Sequence, residues 1–199
     1  MNIFLTSYDP QACAQALDDK RVVNQTLETA QLLCSALRMN GCRDKRLCLL
    51  SHQHHPVTKW VASSYAHWFW TYSLFMALGQ EKLVRFPQNP PHKSWERLSG
   101  VLPKLAQKSE LRFKTAEDET LFCNCARNSS LNLDFTAVAS PVSAYRLYLM
   151  ARWGLDKKEP RWSNRDRPDW VWPRKEDWVL LAREYNPCAD SKVMLGRFI

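Results

Sequence analysis

The sequence predicts an all-α protein: a mainly helical single domain over residues 1–199, with a short N-terminal extended segment and a long irregular loop near 109–140. Three observations carry this expectation. Apolar residues recur at helical spacing between cap signals, above all in DDKRVVNQTLETAQLLCSALRMNG at 18–41. Prolines follow Asp9, His55 and Ser140, at the first helical position, where a missing N–H does no harm. A chain of 199 residues with 45% hydrophobic residues and nine Trp can bury a sizeable core.

Taken in order, MNIFLTS at 1–7 reads as a packed strand or extended arm, and Asp9-Pro10 opens a short helix over 10–17. In 18–41, Val23, Leu27, Ala30, Cys34 and Leu37 fall on one apolar face, and Arg21, Gln25, Glu28, Gln31 and Ser35 fall towards another. The expectation is a core helix with a wet face, started by Asp18 or Asp19 and closed by Asn40-Gly41. That second face carries Arg, Gln and Glu, with Asn24 beside them, rather than Lys–Glu pairs, so it reads as recognition and catalysis. A merely solvated face is the plain alternative.

Pro56 opens a helix expected to reach about Leu83, with Trp60, Tyr65, Trp68, Trp70 and Tyr72 mostly in the core and a minority of rings free to stack on a base. Three of the five histidines precede it, where backbone N–H groups and the macrodipole favour a phosphate or carboxylate. His52 and His55 are therefore candidate anion contacts, with hydrogen bonding to the backbone of a crowded turn as the structural alternative. Phe86 to Pro91 breaks the chain, and His92-Lys93-Ser94 opens a weaker helix. Periodicity fades over 109–140, which reads as a loop or lid. Ser140-Pro141 caps a helix closed by Gly154, the Arg-, Trp- and Pro-rich stretch at 157–170 suits an extended segment, and Glu176 to Tyr185 is a last short helix.

Seven scattered Cys without metal-knuckle spacing suggest reduced thiols and a cytoplasmic protein; Cys123-x-Cys125 is a weak metal or redox signal. No apolar run reaches the roughly 18 residues needed to span a bilayer, so no membrane partner is expected. Residues 82–114 hold eight Lys or Arg, Arg85 and Lys93 among them, against Glu96 and Glu110. Such a patch suits a phosphate backbone, and DNA or a nucleotide is the expected partner, with an acidic protein partner as the alternative. No cofactor is expected. A metal on His52 and His55 would need a third ligand from Asp19, Glu28 or His92.

Several of these residues carry a resemblance: Met1-Asn2-Ile3-Phe4, LDDKRVVNQTLETAQLL at 17–33, His52, His55-Pro56, Trp60, His92-Lys93-Ser94, Ala144-Tyr145-Arg146, Trp162, Arg165, Pro168 and Trp170. In this order they resemble a family of small helical proteins found mostly in bacteriophages and some bacteria. More distantly, the early Arg and Glu helix followed by a His-Pro helix start is similar to the pyrimidine-dimer DNA glycosylases. That resemblance implies an α-helical enzyme whose N-terminal amine attacks a nucleotide sugar, a hydrolase of DNA repair. Carried over, Met1 supplies the amine, Glu28 the carboxylate, and Arg21 a phosphate or base contact, with Asp19 grouped beside them. Asn2, Asn24, Gln25, Gln31, His52, His55, Trp60, Arg85, His92, Lys93, Arg146 and Arg165 are the candidate substrate contacts. A base-modifying group-transfer enzyme and a non-enzymatic basic phage module are the alternatives.

Overall fold

The computed structural model describes residues 2–108, 111–113 and 122–184. It is mainly helical, as the sequence predicts, and divides into two compact units. The first draws on Met1–Ile3, Ser7–Cys123 and Arg161–Asp166, the second on Phe4–Thr6, Asn124–Pro160 and Arg167–Ile199.

In the first unit, Asp9 caps α1 (Pro10–Ala16) by accepting the Ala12 N–H at 2.6 Å. Helix α2 (Asp19–Met39) follows at once. Its end is a Schellman motif: the Gly41 N–H donates to Arg38 O and the Cys42 N–H to Leu37 O, with Gly41 at φ +100. The apolar stripe expected on α2 is rotated. Leu27 is 43% exposed, and the buried side runs through Val22, Ala30, Leu33 and Leu37. The expected wet face is largely covered as well, because Arg21, Gln25 and Ser35 are buried.

The single helix expected from Pro56 is two, α3 (Pro56–Ser63) and α4 (Tyr65–Arg85). Ser64 is extended and its hydroxyl accepts the His67 N–H at 3.2 Å, which ends one helix and starts the next. Trp60 stacks on His67 across the break, ring centroids 4.2 Å apart. Helices α5 (Lys93–Leu98) and α6 (Leu102–Ala106) complete the unit. Helix α2 is its centre, packed against α3, α4, α5 and α6, while α1 packs on α4. Val57, Val61, Trp68, Phe75, Leu78, Leu98 and Leu102 fill the space between them. Gly79 lets Trp95 lie directly on α4, since a Cβ there would sit 1.9 Å from the indole.

In the second unit, β1 (Arg127–Asn128) pairs antiparallel with β2 (Leu133–Asp134) around a 3-10 turn at Ser129–Leu131. The stretch 109–140 is therefore not uniformly irregular: Leu133 and Phe135 are buried, and their burial holds the small hairpin. Ser140 caps α7 (Pro141–Leu155), which packs on α8 (Lys175–Glu184). Gly154 makes that crossing possible, because a Cβ would come within 2.7 Å of the Trp178 backbone. Phe4 stacks on Tyr148, and Trp153 lies against Trp170 and Trp178. No helix among the described residues is long and apolar enough to cross a membrane.

Candidate active site

Along α2, Asp18, Arg21, Gln25, Glu28 and Ser35 lie at helical spacings of three, four, three and seven, so they form one stripe. The Asp18 carboxylate accepts Arg21 Nη1 at 3.0 Å, both side chains being buried. Gln25, 1% exposed, donates from Nε2 to Glu28 Oε2 at 2.9 Å. The Asn2 backbone N–H donates to the same oxygen at 3.0 Å. Ser35 Oγ donates to Ser51 O and accepts the Ser51 N–H, both at 3.2 Å.

Two consequences follow for Glu28, which is half-buried. Among the described residues both hydrogen bonds fall on Oε2, which leaves Oε1 without a partner there. Among the described residues Gln25 Oε1 is a buried acceptor with no hydrogen-bond partner, a costly state unless something else supplies a donor. The Ser35–Ser51 tie also pins the 51–55 histidine turn to the Glu28 stripe, about 10 Å further along the helix at about 1.5 Å per residue.

Residues 1–80 match the family model described as Pyrimidine dimer DNA glycosylase. The chain is thus similar over this stretch to the pyrimidine-dimer glycosylases. No curated protein and no solved structure matches the chain.

The glycosylase-like stretch contains Asn2, Asp19, Arg21, Asn24, Gln25, Glu28, Gln31, His52, His55 and Trp60. Asn2 and Gln25 converge on Glu28. Asn24 is exposed and Gln31 half-buried on the same helix. Met1 lies outside the described residues. Asp19 does not turn towards Glu28. Its carboxylate accepts Arg85 Nη1 at 2.8 Å, Ser163 N at 3.0 Å and Ser163 Oγ at 2.6 Å, which makes it a tie between distant segments. Trp60 is occupied by His67, Trp70 and Phe122.

His55 and His92 take the structural role of helix N-caps, each accepting at Nδ1 a backbone N–H 3.2 Å away, from Val57 and Ser94. A ring that accepts there is unprotonated, so the expected cationic anion contact does not fit. Burial holds both below the ordinary histidine value, with the Lys82 charge adding to the effect at His92. The unfolded chain takes up the proton first as pH falls. The caps' contribution is therefore complete above about 6.5 and is lost as pH falls through that value towards the lower folded ones. Urea unfolding between about pH 7.5 and 5 will show a shallower decline in His55→Asn, which keeps a cap acceptor without the titration. Equal declines in both proteins would refute the cap reading. His52 is exposed and held at φ +50, where the His55 N–H donates back to its carbonyl at 2.9 Å.

Beyond residue 80 the candidates separate. Arg85, its side chain 0% exposed, binds Glu81 at 2.6 Å, Asp19 at 2.8 Å and the carbonyls of Gln15 and Leu17. In place of a substrate contact it is the centre of a buried ion network, and Arg165 joins it by binding Glu81 at 3.0 Å. Lys82 also leaves the basic patch, buried with its ammonium on Pro90 O. Lys93, Arg97, Lys104, Lys108 and Arg112 remain exposed. Arg146 belongs to the second unit, donating to Thr6 O at 3.0 Å with its guanidinium 5.4 Å from the Trp170 ring centre. Glu81 was legible only as an i,i+4 partner of Arg85, and nothing local marks its complete burial. Among the described residues no cluster of three or more His, Cys, Asp or Glu is placed to hold a metal ion.

Proposed function

We propose that this protein is a DNA glycosylase acting on a damaged pyrimidine, with Glu28 as the carboxylate that manages protons at the sugar. The observation that carries the reading is the Asn2 N–H donating to Glu28 at 3.0 Å. It ties the second residue of the chain to the carboxylate next to Gln25 on the α2 stripe, within the stretch that matches the glycosylase family. The nucleophile in this reading is the α-amine of Met1.

The unprotonated amine attacks C1′ of the damaged nucleotide, and the bond from C1′ to the base nitrogen breaks, the base leaving with its electron pair. Glu28 Oε1 gives a proton to the sugar ring oxygen as the ring opens, then takes one back from the nitrogen as the C1′ imine forms. Gln25 and the Asn2 N–H hold Oε2 and so aim Oε1. The unpartnered Gln25 Oε1 offers an acceptor to a substrate donor. Exposed Lys93, Lys104, Lys108 and Arg112 supply phosphate contacts that carry no sequence preference.

The test is a duplex with one pyrimidine dimer, incubated with and without borohydride. The expected result is dimer-dependent cleavage of one glycosidic bond, read as an alkali-labile abasic site, and, under borohydride, a reduced covalent adduct mapping to the N-terminal peptide. Glycosidic cleavage without an adduct would replace the amine by an activated water. A heavier base in place of an abasic site would identify group transfer, and no reaction at all would overturn the proposal.

A further inference from the structure

Two free cysteines, Cys34 and Cys48, belong to the first unit and are tied together by one arginine. Cys34 lies on the buried side of α2 with 0% exposure. Cys48 is half-buried in the segment after α2. Arg38, one turn beyond Cys34, clamps that segment to the helix, donating from Nε to Cys48 O at 2.6 Å and from Nη2 to Leu47 O at 3.0 Å. The clamp holds Cys48 against α2, one turn from Cys34. On the outer side, Arg97 of α5 donates from Nη2 to Cys48 Sγ at 3.1 Å.

We infer that Cys34 and Cys48 form an oxidation-sensitive dithiol, in which Cys48 reacts with a hydroperoxide and Cys34 closes the disulfide. The geometry assigns the two roles. Cys48 is the partly accessible cysteine, with the Arg97 guanidinium 3.1 Å from its sulfur. Cys34 is fully buried. The electrostatics agree: the Cys34 hydrogen bond, with the Arg97 charge and its hydrogen bond, holds Cys48 down to about 6 against the opposing effect of burial. Cys34 is pushed up by the same bond and by its own burial. Both effects act in the same sense, so Cys48 is the thiol that gives up its proton first.

In the first step the Cys48 thiolate attacks the outer oxygen of the hydroperoxide. An S–O bond forms, the O–O bond breaks, and the alkoxide or hydroxide leaves and is protonated by water. In the second, Cys34, losing its proton, attacks the Cys48 sulfenic sulfur, and water departs as the S–S bond forms. Two electrons pass from the dithiol to the peroxide. The resulting disulfide staples the segment after α2 to the residue next to Ser35, the anchor of the histidine turn. This inference is independent of the glycosylase reading.

The full-length protein treated with hydrogen peroxide should lose about 2 Da, two hydrogen atoms, with Cys34 and Cys48 found in one linked peptide. In Cys34→Ser the reaction should stop at a Cys48 sulfenic acid that dimedone traps. Without peroxide, alkylation of Cys48 by iodoacetamide should rise with a midpoint near 6. In Arg97→Gln the midpoint moves up and the rate at pH 6 falls about three- to tenfold, an effect that a purely structural Arg97 would not produce. An alkylation midpoint near the ordinary value of about 8.5 would overturn the inference. So would peroxide treatment that links a different pair or leaves Cys34 and Cys48 unlinked.

Discussion

Glu28→Gln will leave the protein folded and DNA-bound while lowering turnover on a dimer-containing duplex by about 10² to 10⁴, the usual worth of general acid–base catalysis. The structure makes this substitution informative. Both bonds to Glu28 arrive at Oε2, from the Asn2 N–H and Gln25 Nε2, and an amide oxygen in that position accepts both. What is lost is the charge at Oε2 and the exchangeable proton at Oε1. Exchanging charge-assisted bonds for neutral ones lowers stability by about 1 kcal/mol, too little to unfold a domain of ordinary stability. Single-turnover kinetics with a parallel urea titration measures both effects. Unchanged turnover would remove Glu28 from the chemistry; global unfolding would make it a structural residue. Glu28→Ala is the harsher comparison, because it also strips Gln25 Nε2 of its partner beside an already unpartnered Oε1.

Glu81→Ala will destabilise the protein by about 3–5 kcal/mol, a large part of the roughly 5–15 kcal/mol that holds a typical domain together. Its carboxylate is 0% exposed and accepts Arg85 Nε at 2.6 Å and Arg165 Nη2 at 3.0 Å. Removing it leaves the buried Arg85 guanidinium with only the Asp19 carboxylate as counter-charge. For a chain of this size the loss corresponds to a fall in Tm of roughly 6–20 °C. Replacing both partners, as in Glu81→Leu with Arg85→Met, should recover much of it, since a buried pair exchanged for apolar side chains is often close to neutral. A loss below about 1 kcal/mol for Glu81→Ala would mean that water reaches the network.

The helices were readable from sequence where local chemistry marks their ends. Asp9-Pro10, Ser140-Pro141 and Asn40-Gly41 each cap as their side chains or backbone freedom require. The break at Ser64 was hidden because the residues on both sides favour helix, and a single hydroxyl on the His67 N–H decides it. In the candidate site, the spacing of Arg21, Gln25 and Glu28 was visible. Their covering was not, because it comes from Asn2 and from the Ser51 turn, which meet α2 only after folding. Arg85 and Arg165 showed charge but not burial. Their partners Glu81 and Asp19 lie up to 84 residues away in sequence, a range at which charge patterning carries no contact information.

The ties made by residues 161–166 set a clock on the protein's birth. Trp162 Nε1 donates to Ala16 O at 3.1 Å, Ser163 holds Asp19, Asn164 Nδ2 donates to Val84 O at 3.0 Å and Arg165 holds Glu81. The first unit therefore cannot close until a stretch 144 residues beyond Asp19 has been made. At roughly 5–20 residues per second, Asp19 waits about 7–30 s on the ribosome for Ser163. The whole of 124–160, the body of the second unit, emerges in that interval. The stretch that matches the glycosylase family, residues 1–80, is thus completed by bonds from residues far downstream. It reaches its finished form only when the chain returns to it from far downstream.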